Sequence, residues 1–276
     1  MARLRLDQLL VDRGLAPSRA AAQALLLAGA VELAGAGSRT LKAGQLVAPD
    51  AVLAVLAGPR WASRAAEKLE AALDAFGVDP SGLACLDAGA STGGFTDLLL
   101  ARGARIVYAV DVGRGQLLDR IARDPRVVNM ERTNLRALRS LPEPIELATL
   151  DLSFISLRLV LPAVRGLLAD VGRVIALVKP QFEAGREAVP RGGVVRDPGT
   201  HRGVLLALAQ HAAQAGLVPT ALIASPLAGA DGNREFLARL ARVNLHAVYE
   251  VANARERQQW NSGDFFAEKA KLATGD

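Results

Sequence analysis

Apolar and polar positions recur with two different periods along this chain, and the change of period marks its parts. In residues 6–14 the apolar side chains Leu6, Leu9 and Leu10 fall at helical spacing and Gly14 stops the run, which predicts a short helix. Pro17 and Ser18 open a second helix, with Ser18 as its cap, Leu25, Leu26 and Leu27 as apolar surface, and Gly29 as its end. Strand-like runs follow at 31–33, 45–47 and 52–56 between glycine turns. So small a set of elements implies a minimal core, hence an appended module over residues 1–57. Gly58, Pro59, Arg60 and Trp61 read as part of a linker at 58–62; Trp61 can dock two domains or stack on a base.

From residue 63 the pattern changes. A helix capped by Ser63 and carrying Lys68 leads into apolar runs at 83–86, 105–110, 126–129, 147–150, 171–178 and 222–225. Helical patterns lie between them, one of them at 201–214, and a Gly/Pro/Arg loop covers 184–198. The run from Asn233 to Arg242 fits a helix by pattern. Alternating strands and helices predict a doubly wound parallel sheet over residues 63–245, with its chemistry at the carboxyl ends of the strands. Residues 246–276 form a charged extension with no functional reading.

Polar residues do fall at those ends. The run at 83–86 meets Asp87 and a glycine turn (Gly89, Ser91, Gly93, Gly94), then a helix with Phe95, Leu98 and Leu99 on its apolar face. Strand, glycine turn and helix make nucleotide pockets, because glycine lets backbone approach a ligand and a helix start offers free N–H groups. The turn lacks both GxGxxG and a P-loop ending, so a tight turn without a ligand is the alternative. Asp111 ends the second run, where such folds meet ribose hydroxyls; a plain loop acid is the other reading. Asp151 and Lys179 end the fourth and fifth runs. His201, His211 and His246 lie apart from these ends, so no Ser/His/Asp set is expected. A dehydrogenase would want GxGxxG. S-adenosylmethionine fits better: it needs a glycine turn beside its methionine end, an acid for its ribose, and an acid to stabilise its sulfonium.

Half of the 276 residues (51%) are hydrophobic, enough for a sizeable core. The net charge is +5, and residues 1–60 hold seven basic residues against four acids, so +3 of it sits in the first fifth. That balance points to an acidic partner such as nucleic acid. Cys85 is the one cysteine, which excludes a disulfide framework and a cysteine zinc site; no metal is expected, and a cytoplasmic protein is. The charged, amphipathic start is unlike a signal peptide, and charges cut every long apolar stretch, so no membrane partner is expected.

The stretch RLDQLLVDRGLAPSRAAAQALLLAGAVEL resembles the S-four-type RNA-binding domain. The resemblance implies RNA contacts by Arg3, Arg5, Ser18, Arg19 and Gln23, with Arg64 beyond the module, since arginine suits phosphate through its fork of donors. Glu32 stands within the stretch that replaces the usual VNG turn. The later motifs are LDAGASTGGFTDLLL, VDVGRGQL, DPRV with ERTN, DLSFISL, VKPQFE, GGVVRDP and SPLAGADGNREF. Together they resemble the TlyA-type methyltransferases, often labelled hemolysin A and related to the FtsJ-like ribose methyltransferases. The likeness runs from Arg3 to about Leu240, and it favours a strand over a helix for residues 233–242.

It implies an α/β, Rossmann-like S-adenosylmethionine-dependent methyltransferase fold behind a small α+β RNA-binding domain. The implied reaction is methylation of the ribose 2′-hydroxyl of cytidine in ribosomal RNA, in the small subunit and in some members the large. Carried over residue by residue, Asp87 (near the sulfonium), Gly89, Ser91, Gly93, Gly94, Phe95, Asp111, Thr133 and Asn134 would bind the cofactor. Lys68, Asp151, Lys179 and Glu235 would form a catalytic tetrad, with Lys179 as base, the two acids orienting the lysines, and Lys68 positioning the ribose. A ribose hydroxyl sheds its proton as it attacks, and a lysine takes that proton only as the neutral amine. Ribosomal RNA or ribosomal subunits would be the partners of a monomer. The chain departs from the family pattern at Ala65, where SRGxxKL has glycine, and in its extension past residue 242. Two other classes are a membrane-lytic protein, which the missing spanning segment opposes, and a non-catalytic RNA binder, which the filled tetrad opposes.

Overall fold

The computed structural model describes residues 3–27, 29–34, 41–55, 60–229 and 232–242. Gly58 and Pro59 of the expected linker, and the extension at 246–276, lie outside these residues. The chain divides into two compact units, Met1–Ala66 and Glu67–Asp276.

The first unit contains β1 (Leu4–Arg5), α1 (Leu6–Asp12), α2 (Arg19–Leu27), β2 (Val31–Leu33), β3 (Leu46–Val47) and β4 (Leu53–Val55). β1 pairs antiparallel with β3, and β2 with β4. The Ser18 hydroxyl accepts the Ala21 N–H at 3.2 Å, so α2 is capped as its sequence implies. Leu6, Leu9 and Leu10 of α1 meet Ala22 and Leu26 of α2 in one small core with Val31 and Val47. Apolar spacing in each helix thus becomes the contact that holds the unit together.

The remaining elements are α3 (Ala65–Phe76), β5 (Ala84–Ala88), α4 (Gly94–Ala101), β6 (Ile106–Val110), α5 (Asp119–Ala122), β7 (Val127–Met130), β8 (Ile145–Leu150), α6 (Leu161–Leu167), β9 (Leu168–Val178), α7 (Pro180–Glu183), α8 (Pro198–Gln214), β10 (Leu217–Ala224) and β11 (Phe236–Arg242). Seven strands form one sheet in the order β10-β11-β9-β8-β5-β6-β7. β7, β6, β5, β8 and β9 run parallel, whereas β11 is antiparallel to both β9 and β10. The doubly wound sheet is thus parallel over five strands and antiparallel at β11 and β10, within a Rossmann-like fold. The cause is local: β10 and β11 are joined by a short polar connection, which permits only antiparallel pairing.

One boundary differs from expectation. β10 starts at Leu217, ahead of the run at 222–225, and includes Pro219. It is the edge strand, and its register shifts between Pro219 and Ala221, so the missing N–H is tolerated. Residues 236–242 form the strand that the resemblance favours over their helical spacing, because β11 lies between β9 and β10, where it has backbone partners on both sides. Leu86, Tyr108, Ala148, Leu150, Val174 and Ala176 face a core completed by Val164 of α6 and Leu208 of α8. The connections run outward from β5 to β7, then return to β8 on its other side. That reversal leaves a crevice at the carboxyl ends of β5 and β8.

Candidate active site

A cavity of about 530 Å³ occupies this crevice. Gly89, Ser91, Asp111, Gln116, Thr133 and Asn134 line one part of it, and Asp151, Leu152, Ser153 and Phe154 another. Each group follows the end of a parallel strand, which is why distant sequence motifs share one space.

At the first end, backbone groups hold the acid. Asp111 Oδ2 accepts the Ser91 N–H at 2.9 Å and Oδ1 accepts the Gly113 N–H at 2.7 Å. A carboxylate has about four acceptor sites, so both oxygens can still take a hydroxyl. Asn134 Oδ1 caps the turn beside it through the Arg136 N–H, and the Thr133 N–H bonds the Asp111 carbonyl. Gly89, at φ +85°, is required here: a Cβ would lie 2.4 Å from the Asp151 carbonyl oxygen.

The other cofactor candidates lie elsewhere. Asp87 is fully buried; it accepts the Thr96 hydroxyl at 2.6 Å and the Thr149 hydroxyl at 3.4 Å. Burial pushes its carboxyl up to about 7, and Asp151 nearby adds to the rise. Asp87 belongs to β5 itself and is enclosed within the sheet, whereas Asp111 lies one residue past β6 and lines the cavity. Gly93, at φ +95°, meets Leu117 and Ile121, where a Cβ would come within 2.7 Å of either side chain. Gly94 and Phe95 are buried in the first turn of α4. These three shape the turn from below and do not line the cavity.

At the second end, side chains hold one another. Lys179 Nζ lies 2.7 Å from Asp151 Oδ1 and donates to Ser153 Oγ at 3.0 Å. That Asp151 oxygen is buried without an aligned hydrogen-bond donor among the described residues, so the contact is one of charge. Lys68 of α3 pairs with Glu235 at 2.5 Å, and both side chains are largely buried, at 12% and 3% exposure. The β9–β11 register pairs Phe236 with Val178, which sets Glu235 opposite Lys179 one step beyond the ladder. The tetrad candidates thus form two lysine–carboxylate pairs, with Asp151, Lys179 and Glu235 at one end of the adjacent strands β8, β9 and β11.

Several residues that hold this site went unnoticed in the sequence. Glu183 accepts the Ser156 hydroxyl at 2.7 Å and the Leu157 N–H at 2.8 Å, binding VKPQFE to DLSFISL. Buried Asn233 accepts the Val195 N–H and donates to the Gly193 carbonyl, both at 2.9 Å, tying GGVVRDP to GNREF. Glu131 accepts the N–H groups of Gly115, Gln116 and Leu117, and these donors hold its carboxyl below the usual range. The shared signal was an unexplained polar residue inside each motif. Phe154 is 91% exposed at φ +63°, with its ring 5.1 Å from that of Phe182, beside the cavity.

Among the proposed RNA contacts, Arg3 and Arg64 are exposed, and Arg5, Arg19 and Gln23 converge on the buried Asp7. No helix among the described residues is long and apolar enough to cross a membrane.

Strand order, glycine cradle and strand-end acids define a Rossmann-like methyltransferase. A family model described as FtsJ-like methyltransferase matches residues 61–242, and the chain belongs to that family. A Mycobacterium tuberculosis protein named 16S/23S rRNA (cytidine-2′-O)-methyltransferase TlyA is 47% identical over 240 residues, covering 85% of this chain and 88% of the relative. A Brachyspira hyodysenteriae protein named Hemolysin A is 38% identical over 238 residues, covering 85% and 98%. A solved structure of a protein from Streptococcus thermophilus, labelled a hemolysin, matches with a TM-score of 0.69 at 40% identity, covering 88% of this chain and 90% of that one.

The methyl donor of this class is S-adenosylmethionine. The residues present fit it: the cavity has small-molecule size, Gly89 opens its floor, and Asp111 keeps acceptor capacity for ribose hydroxyls.

Proposed function

We propose that this protein methylates the ribose 2′-hydroxyl of cytidine in ribosomal RNA, as its TlyA-named relative's name describes. The observation that carries this reading is the pairing of Lys179 with Asp151 at the end of a cavity that begins at Asp111. When bound, S-adenosylmethionine would supply an electrophilic methyl group on a sulfonium, with a neutral thioether as leaving group. Asp111 holds the ribose of the donor, and Gly89, Ser91, Thr133 and Asn134 shape the wall around it. Lys179 takes the proton from the attacking hydroxyl as the oxygen–carbon bond forms. Asp151 then holds the resulting ammonium, and Ser153 orients Nζ. Lys68, fixed by Glu235, positions the ribose of the RNA. Most of the acceleration comes from in-line placement of hydroxyl and methyl, with the base adding roughly 10²–10⁴-fold.

The N-terminal unit, read as an S-four-type domain over residues 1–57 joined by a linker at 58–62, contributes affinity for RNA through Arg3, Arg5, Ser18, Arg19 and Gln23, with Arg64 beyond it. The protein works as a monomer in the cytoplasm on rRNA or on ribosomal subunits. The test is incubation with labelled S-adenosylmethionine and separate small and large subunits lacking the mark, followed by nuclease digestion. Labelled 2′-O-methylcytidine from wild type but not from Lys179→Ala is the expected result. Label on a base, or equal label from both proteins, overturns the reading.

A further inference from the structure

Asp7 is charged, sits in the first turn of α1, and has no exposed surface. A carboxylate so placed must be compensated, and its partners come from three elements. Arg5 of β1 donates through Nε at 3.0 Å and Nη2 at 2.9 Å. Arg19 and Gln23 of α2 donate at 3.1 and 3.0 Å, and the Gln8 N–H at 2.9 Å. The hydrogen bonds from Arg5 outweigh the cost of burial, and Gln23 and Arg19 add to them, so the carboxyl is held far below the usual aspartate range.

The arginines are not consumed by this contact. Their side chains are 49% and 52% exposed, and a guanidinium carries five N–H donors, of which Asp7 takes two from Arg5 and one from Arg19. Both Nη2 atoms touch the same oxygen, Oδ2, so they lie at most about 6 Å apart. Two guanidinium groups held that close repel each other unless an anion lies between them. With Asp7 between them the cluster carries a net +1, which matches one phosphodiester. Two fixed forks at this spacing suit the two free oxygens of a single phosphate.

We propose that Asp7 is a positioning residue for RNA recognition: its buried carboxylate holds Arg5 and Arg19, with Gln23, as one preformed site for a single backbone phosphate. This rests on reading the N-terminal unit as an RNA-binding domain. It makes a prediction of unusual sign. Asp7→Asn adds one positive charge, so simple attraction to RNA would tighten binding; loss of positioning weakens it.

The experiment measures methyl transfer to small subunits lacking the mark, and binding of purified small-subunit rRNA, with the full chain. Asp7→Asn is expected to raise the KM for RNA about tenfold, with kcat and the KM for S-adenosylmethionine unchanged. Arg19→Ala should then cost little more in the Asp7→Asn background, and the salt dependence should fall by about one phosphate contact. Should Asp7→Asn fail to fold by circular dichroism, Arg5→Lys keeps the charge but loses the two-pronged contact, and a several-fold weaker affinity is expected. Unchanged or tighter RNA binding by the folded Asp7→Asn, or by Arg5→Lys where Asp7→Asn does not fold, overturns the proposal. If Arg5→Ala and Arg19→Ala both bind RNA like wild type, the RNA-binding reading of the unit fails instead.

Discussion

The two ends of the catalytic cavity are built by different means. Around Asp111 the main chain does the holding: the Ser91 and Gly113 N–H groups fix the carboxylate, and Gly89 admits the neighbouring strand end. Around Lys179 side chains hold side chains, across 26 residues for Lys179–Ser153 and 167 for Lys68–Glu235. The difference teaches where each end is vulnerable. A backbone-built cradle survives the loss of one side chain and merely binds more weakly. A cluster of buried charges loses its chemistry, or its stability, with any single member.

The largest effect should therefore come from the second end. Lys179→Ala is expected to slow methyl transfer roughly 10²–10⁴-fold while calorimetry finds the affinity for S-adenosylmethionine unchanged. Lys68→Ala leaves Glu235 buried without its cation and should cost about 3–5 kcal/mol in denaturant unfolding. The double variant Lys68→Met/Glu235→Leu should regain most of that stability and none of the activity; full activity in it would remove both residues from the site. Asp111→Ala should weaken S-adenosylmethionine binding about ten- to a hundredfold by loss of charged hydrogen bonds. An unchanged affinity would break the contrast between the ends.

A separate effect, read in the pH dependence of stability and not in activity, concerns Asp87. Its folded value of about 7 exceeds the usual 3.8, so the folded state binds its proton more tightly. Its contribution to stability is then complete below about pH 4 and lost as pH rises through about 7. Asp87→Asn should flatten that part of the thermal-midpoint profile between pH 4 and 8. An unchanged profile would show that Asp87 does not titrate there.

What could be read in the sequence follows the same divide. The cradle is local: an apolar run, an acid and glycines within a dozen residues announce strand, turn and helix. Asp87 and Asp111 nevertheless look alike in sequence, each an acid closing an apolar run. Asp87 pairs with Ala109 inside the sheet, whereas Asp111 lies two steps further along, past the end of β6, where it reaches the cavity. At the second end Asp151 and Lys179 were visible as polar residues closing apolar runs, but Lys68 and Glu235 were reached only through motif resemblance, because no local pattern relates residues 167 positions apart. Strand direction was hidden for the same reason, since apolar spacing in 236–242 carries no sign of which neighbour it pairs with. Asn233 and Glu183 had no visible role, as their partners are backbone groups in other motifs.

The division of labour is tested most directly by single-turnover methyl transfer to ribosomal subunits at saturating S-adenosylmethionine, comparing Asp111→Ala with Lys179→Ala. The account predicts that Asp111→Ala recovers a rate near wild type once the cofactor is saturating, whereas Lys179→Ala stays slow at any concentration. Equal loss in both variants, or recovery of Lys179→Ala by added cofactor, would contradict it.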